Sequence, residues 1–125
     1  MNRTPITRVG LQFAGYSFPG VTDAQIFQHL VEVARAAECS GFDSLWTMDH
    51  LHQIATVGDR EEAILEAYTT LAALAAVTSS ARLDVLVSAC GFRNPALLAN
   101  MGTTSDVNSG GLRMTGMRGD WHGVG

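Results

Sequence analysis

The sequence predicts an α/β fold built on a parallel sheet, and three observations predict it. Short apolar runs alternate with longer stretches at helical spacing, in the order β-α-β-α-β-α-β. The returns between them are short, which implies parallel strands joined by right-handed crossovers. One run, Ser44-Leu45-Trp46-Thr47-Met48-Asp49-His50, reads as a buried strand that ends on an acid and an imidazole. A rigid strand delivering such side chains to its C-terminal edge is how proteins of this class place chemistry.

Each element follows from a local pattern. Arg8 to Ala14 alternates around Val9, Leu11 and Phe13 and reads as the first strand. Gly15 to Gly20 is a loop. Thr22-Asp23-Ala24-Gln25 has the spacing of a capping box, in which a hydroxyl and a Gln three residues on satisfy the first free amides of a helix. Ile26, Leu30, Val33 and Ala37 then recur at helical spacing, flanked by Phe27, Val31 and Ala34, and Gly41 stands where a C-cap glycine belongs. Ser44 to Met48 is the second strand. Leu51 to Ile64 is a long connection carrying Asp59-Arg60-Glu61-Glu62. Loops at the C-terminal ends of strands often serve function, and a solvated turn accounts for these charges equally well.

Glu66 to Ser80 reads as the second helix, with Ala67, Leu71, Leu74, Ala75 and Thr78 on one face. Arg82 to Cys90 reads as the third strand. Asn94-Pro95 starts a third helix, with Asn as N-cap and Pro at the first helical position. Its inward stripe should run from Leu98 and Met101 to Ser105 and Asn108. Polar residues there mean that the helix is short or that its C-terminal part carries little packing demand. Leu112 to Met117 reads as a fourth strand.

Composition narrows the function. With 125 residues and 46% hydrophobic content the chain fits one domain with a core, which argues against disorder. A net charge of -4, with no basic run, argues against nucleic-acid or anionic-membrane partners. Cys39 and Cys90 lack metal-ligand spacing and read as free thiols in a reducing cytoplasm. The segment Met1 to Thr7 is polar and has no apolar stretch of a signal peptide. Leu71 to Val77 is too short to span a bilayer. No Walker A run, G-x-G-x-x-G or G-x-S-x-G motif occurs. Asp49, His50 and His52 form a loose ligand set without a nearby third His or Cys, so no metal is expected. Arg118-Gly119-Asp120 matches an adhesion tripeptide by chance, and Trp46 and Trp121 could stack on a ring, although core packing is the more common outcome.

The combined text resembles the N-terminal part of the luciferase-like monooxygenase superfamily, in its deazaflavin (coenzyme F-420) dependent oxidoreductase branch. The matching runs are Gly10-Leu11-Gln12 with Phe18-Pro19-Gly20-Val21, Ala34 to Glu38, Gly41 to Trp46, Met48-Asp49-His50 with Gln53, Glu66 to Leu71, Ala73 to Thr78, Arg93 to Ala99, and Ser109-Gly110-Gly111. Gly116 to Trp121 resembles the exit of the fourth strand, and it departs from the family's small-residue run there.

The resemblance implies a (β/α)8 TIM barrel, which needs roughly 250 residues. Residues 1–125 would then be the N-terminal half, a partial barrel of about four parallel strands and three helices, cut short. The departures at Ser105, Asn108 and 116–121 fit a truncated or frame-disturbed product.

The resemblance also implies roles. His50 would be catalytic, facing the reactive carbon of the cofactor as general acid/base. Asp49 would touch the cofactor or orient its neighbours. Ser88, Ala89 and Cys90 would line the cofactor's middle ring, with a non-proline cis peptide and a bulge. Without a relative, Asp49-His50 is as ordinary as a surface pair in a loop, and Ser88 to Cys90 as a strand terminus. The function expected is hydride transfer between coenzyme F-420, or alternatively FMN, and a small-molecule substrate. The competing expectations are a catalytically dead half-barrel that only self-associates, and a ligand-binding module. A lone half-barrel exposes two sheet edges, so a homo-oligomer is expected.

Overall fold

The computed structural model describes residues 7–111 and 117–118. Three strands, β1 (Gly10–Phe13), β2 (Ser44–Thr47) and β3 (Arg82–Val85), form a parallel sheet in the order β1-β2-β3. Helix α1 (Ile26–Cys39) crosses from β1 to β2, α2 (Ala67–Ala75) from β2 to β3, and α3 (Pro95–Asn108) follows. The two-residue strand β4 (Ser88–Ala89) pairs in parallel with β5 (Met117–Arg118). Residues 112–116 of the expected fourth strand lie outside the described residues.

Period-two alternation decides which strand side chains enter the core. Phe13, Leu45, Leu83 and Val85 join Leu30, Ala34, Leu71 and Leu74 of α1 and α2 in one buried cluster. In α1 the buried positions are Ile26, Leu30, Val31, Ala34 and Ala37, while Val33 is only partly buried. Ala34 therefore takes the place expected for Val33, and its small side chain sits fully enclosed.

The opposite face of β2 needs room at its neighbour. The indole Nε1 of Trp46 donates to Ser44 Oγ at 2.8 Å. A Cβ on Gly10 would lie 2.6 Å from that oxygen and 2.7 Å from the indole nitrogen, so the register partner of Ser44 must be glycine.

Capping works largely as the local patterns imply. The Thr22 amide and hydroxyl both donate to Gln25 Oε1, at 3.0 and 2.9 Å. This fixes a short 3-10 turn, Asp23–Gln25, that leads into α1. Asn94 Oδ1 accepts from the Ala96 amide at 2.9 Å, and Pro95 opens α3. Gly41 has a φ of 87°, as a C-terminal glycine should.

Three elements differ from expectation. Helix α2 stops at Ala75 rather than Ser80, because the amides of Val77 and Thr78 and the Thr78 hydroxyl all converge on the Leu74 carbonyl. The stretch 82–90 is not one strand. Pairing with β2 ends at Val85, the Leu86–Val87 peptide bond is cis, and β4 takes a different partner. This cis bond lies just before the Ser88–Cys90 stretch where one was expected. Helix α3 runs its full 14 residues but buries only Leu98 and Gly102. The hydroxyls of Thr103, Thr104 and Ser105 bond back to carbonyls four residues earlier, and Asn108 is exposed. The polar stripe thus marks low packing demand in a long helix.

Glu38, at the end of α1, joins the two crossovers. Its carboxylate accepts from the amides of Ser79, Ser80 and Ala81, the last two at 2.6 and 2.7 Å to Oε1. Burial opposes its ionisation, but these amide bonds outweigh burial and hold the carboxyl below its usual range. Among the described residues no helix is long and apolar enough to cross a membrane.

Candidate active site

The C-terminal ends of β2 and β3 and the start of α2 meet in a polar cluster. Asp49 stands two residues past the end of β2, and its side chain is 3% exposed. Buried carboxylates require partners, and Asp49 has a full set. Oδ2 accepts from Arg93 Nη1 at 2.6 Å and from the Ala89 amide at 2.9 Å, while Oδ1 accepts from Arg93 Nη2 at 2.8 Å. The fork of Arg93 thus meets both oxygens of one carboxylate.

Arg93 has two further contacts. Its Nη2 also bonds Glu66 Oε1, and its guanidinium carbon lies 4.8 Å from the centroid of the Tyr68 ring. The hydrogen bond to Asp49 is the main reason that its ionisation is pushed up, against burial and with help from Glu66. Glu66 is also the N-cap of α2, accepting from the Tyr68 and Thr69 amides at 3.3 and 2.7 Å. Burial raises the Glu66 ionisation, but the bonds from Thr69, Arg93 and Tyr68 outweigh it and hold the carboxyl below its ordinary range. Tyr68 Oη and Ser88 Oγ share a short hydrogen bond, and both side chains are buried. Removing one member of a buried, paired set of charges costs about 3–5 kcal/mol, because its partner is left uncompensated.

The residues singled out from sequence fall around this cluster. Asp49, Ser88 and Ala89 are brought together by it. His50 is exposed, immediately beyond Asp49, and Cys90 is half-buried at the start of a 3-10 turn that leads to Arg93. His52 is exposed and Gln53 buried, its Nε2 reaching the Ala14 carbonyl at 3.3 Å. Among the described residues no group of three or more His, Cys, Asp or Glu side chains is placed to hold a metal ion. A hollow of about 420 Å³ lies beside the end of β1, lined by Phe13, Gly15, Phe18, Gln53, Val57 and Glu62 among others, and none of the predicted site residues lines it. Tyr16 is 3% exposed, and among the described residues its hydroxyl has no hydrogen-bond partner.

The luciferase-like monooxygenase family model matches residues 8–113. The chain belongs to this family. Solved structures agree in fold. The oxygenating constituent of 3,6-diketocamphane monooxygenase from the CAM plasmid of Pseudomonas putida, a type II Baeyer–Villiger monooxygenase solved with FMN, superposes at TM-score 0.73 with 24% identity over 90% of this chain and 29% of its own. A monooxygenase from Streptomyces bottropensis superposes at 0.70 with 26% identity, over 89% of this chain and 32% of its own. The coenzyme F-420 dependent tetrahydromethanopterin reductase from Methanopyrus kandleri superposes at 0.68 with 21% identity, over 88% and 26%. No curated protein matches the sequence.

The fold is therefore a partial (β/α)8 TIM barrel, and this luciferase-like chain spans less than a third of the length of those three structures. Sequence reasoning gave Arg93, Glu66 and Tyr68 no roles. The available signal was their position: Arg93 directly precedes an Asn-Pro helix start, and Glu66 directly precedes a helix, so both stand at strand-to-helix turns where barrels gather polar groups.

Proposed function

We propose that this luciferase-like segment forms the first part of an oxidoreductase site, for hydride transfer between coenzyme F-420, or alternatively FMN, and a small organic substrate. The observation that supports the reading best is the Asp49–Arg93–Glu66 network. It gathers the end of β2 and the Ser88–Cys90 segment at one edge, with the His50 imidazole exposed beside them. When bound, the ring cofactor supplies or accepts the hydride.

The residues present suit such a ring. The Tyr16 hydroxyl is a buried donor without an acceptor among the described residues, and flavin and deazaflavin rings carry carbonyl oxygens that accept. Burial, and then the charge of Glu66, push the Tyr16 ionisation up to about 12, so it stays a donor across the working range. Ala89 offers a small side chain beside which a flat ring can lie. His50 gives or takes the proton that accompanies hydride movement, since an imidazole ring has one nitrogen that donates and one that accepts. Asp49 spends its acceptors on Arg93 and Ala89, so its part is to orient the segment.

The test is a fluorescence titration of the purified chain with coenzyme F-420 and, separately, with FMN. Saturable binding of one of them at about micromolar dissociation constant, roughly -8 kcal/mol, is expected, weakened about tenfold by His50→Ala. A folded sample that saturates with neither cofactor overturns the reading.

A second reading is an inert partial barrel that only self-associates. It is favoured by the outer edge of β1, which has no strand partner among the described residues, and by Val9 beside it, which is 47% exposed.

A further inference from the structure

We propose that Arg93 is the positioning residue of this site: through Asp49 it holds the Ser88–Cys90 segment against the end of β2, and so sets the gap in which a ring cofactor would lie between that segment and His50. The cofactor part of this inference rests on the hydride-transfer reading; the clamp stands on geometry.

Arg93 has no donor fork left for a ligand. Both Nη atoms are directed at carboxylates, Nη2 at two of them, and one face covers Tyr68. Its role is therefore to act through what it holds. Asp49 Oδ2 takes a bond from Arg93 and another from the Ala89 amide, so the carboxylate is the pivot between β2 and β4. Glu66 ties the same guanidinium to the first turn of α2, and Tyr68, on that turn, reaches Ser88. Three consecutive chain segments, 44–49, 66–69 and 88–93, are thus fixed by one side chain. Among the described residues no other cation contacts Asp49 or Glu66. Lysine cannot replace the arrangement, because an ammonium is a point charge without a planar fork.

The test uses the full chain and two readouts. The first is amide hydrogen exchange at Ala89, with the β2 amides as internal controls. Arg93→Lys is expected to speed Ala89 exchange about tenfold while the β2 amides keep their rates. The second is affinity for coenzyme F-420 and FMN, expected to fall about tenfold in the folded Lys variant. In Arg93→Ala, added guanidinium ion should restore both readouts, and ammonium should restore neither. Unchanged Ala89 exchange in the Lys variant overturns the clamp. So does an equal rise at every amide, which would mean that Arg93 serves global stability alone. Unchanged affinity with faster Ala89 exchange overturns the positioning role. If the wild-type chain binds neither cofactor, the hydride-transfer reading fails, and the exchange arm decides the clamp by itself.

Discussion

At the scale of single residues, Tyr16 offers a direct pH experiment. In an unfolded chain its phenol loses its proton near pH ~10. In the folded chain, burial first and the Glu66 charge second push this up to about 12. The folded state holds the proton more tightly, so the resulting stability is complete below pH ~10 and is lost as pH rises toward 12. Alkaline absorbance titration should show a phenolate that forms only near the upper end of that window and is missing in Tyr16→Phe. At neutral pH the Phe variant should match or exceed the wild-type Tm, since it removes a buried hydroxyl that has no partner among the described residues. A clear loss of stability in Tyr16→Phe would show that the hydroxyl has a partner after all.

The same scale shows why only part of the site was legible. The Asp49-His50 dipeptide stands out because it interrupts an apolar run. What Asp49 does is invisible locally, since its partners Ala89 and Arg93 lie 40 and 44 residues away. The link from Arg93 to Glu66 spans 27 residues. An Arg before an Asn-Pro helix start gives no sign of which carboxylates it will meet.

At the scale of elements, the Glu38 contact predicts how the two crossovers hold together. Glu38→Ala leaves three amides of the α2–β3 turn without their acceptor. Ser79 and Ser80 are exposed and water can replace the bond there, so the expected cost is about 1–2 kcal/mol, read as a Tm lower by roughly 5–10 °C. The sign with pH follows from the lowered ionisation of Glu38. Its contribution is present above the ordinary carboxyl value of 4.5 and is lost as pH falls through the lower folded value. The gap between wild type and variant should hold constant above that value and close under more acid conditions, in thermal melts across the acid range. A gap that does not change with pH would mean that the amide bonds do not need the charge.

Elements set by local chemistry were readable: the Thr22–Gln25 turn, Gly41 and the Asn94-Pro95 start each depend on residues within a few positions. Misreadings arose where a distant partner decides. Val33 and Ala34 both fit a helical stripe, and packing in the cluster with the strands selects the smaller. Val85, Leu86 and Val87 make an unbroken apolar run in the stretch from Arg82 to Cys90, so nothing local says that the ladder stops at Val85, where β2 runs out of paired residues at Thr47.

At the scale of the whole molecule, the described sheet has two edges, β1 and β3, and side chains such as Val9 and Phe92 are 47% and 48% exposed. Open edges and apolar surface favour association. Sedimentation velocity across a concentration series should show the mass of the purified chain rising above 13.3 kDa. A monodisperse, cooperatively melting monomer at micromolar concentration would remove the self-association reading and leave the cofactor reading untouched. The parallel α/β character was legible at this scale because alternation of runs needs no long-range knowledge. The barrel was legible only through the family resemblance, because the alternation of runs does not say how many strands the sheet has or whether it closes.

The fit of Trp46 over Gly10 has a use of its own. The indole is lodged at the join of the first two strands, with its N–H committed to Ser44. Its light emission is therefore an optical gauge of whether that join has closed, once Trp121 is replaced by Phe. Followed during refolding beside the protection of the Ser80 and Ala81 amides by Glu38, it would time the first seam against the bridging of the two crossovers, and so date the order in which this sheet is assembled.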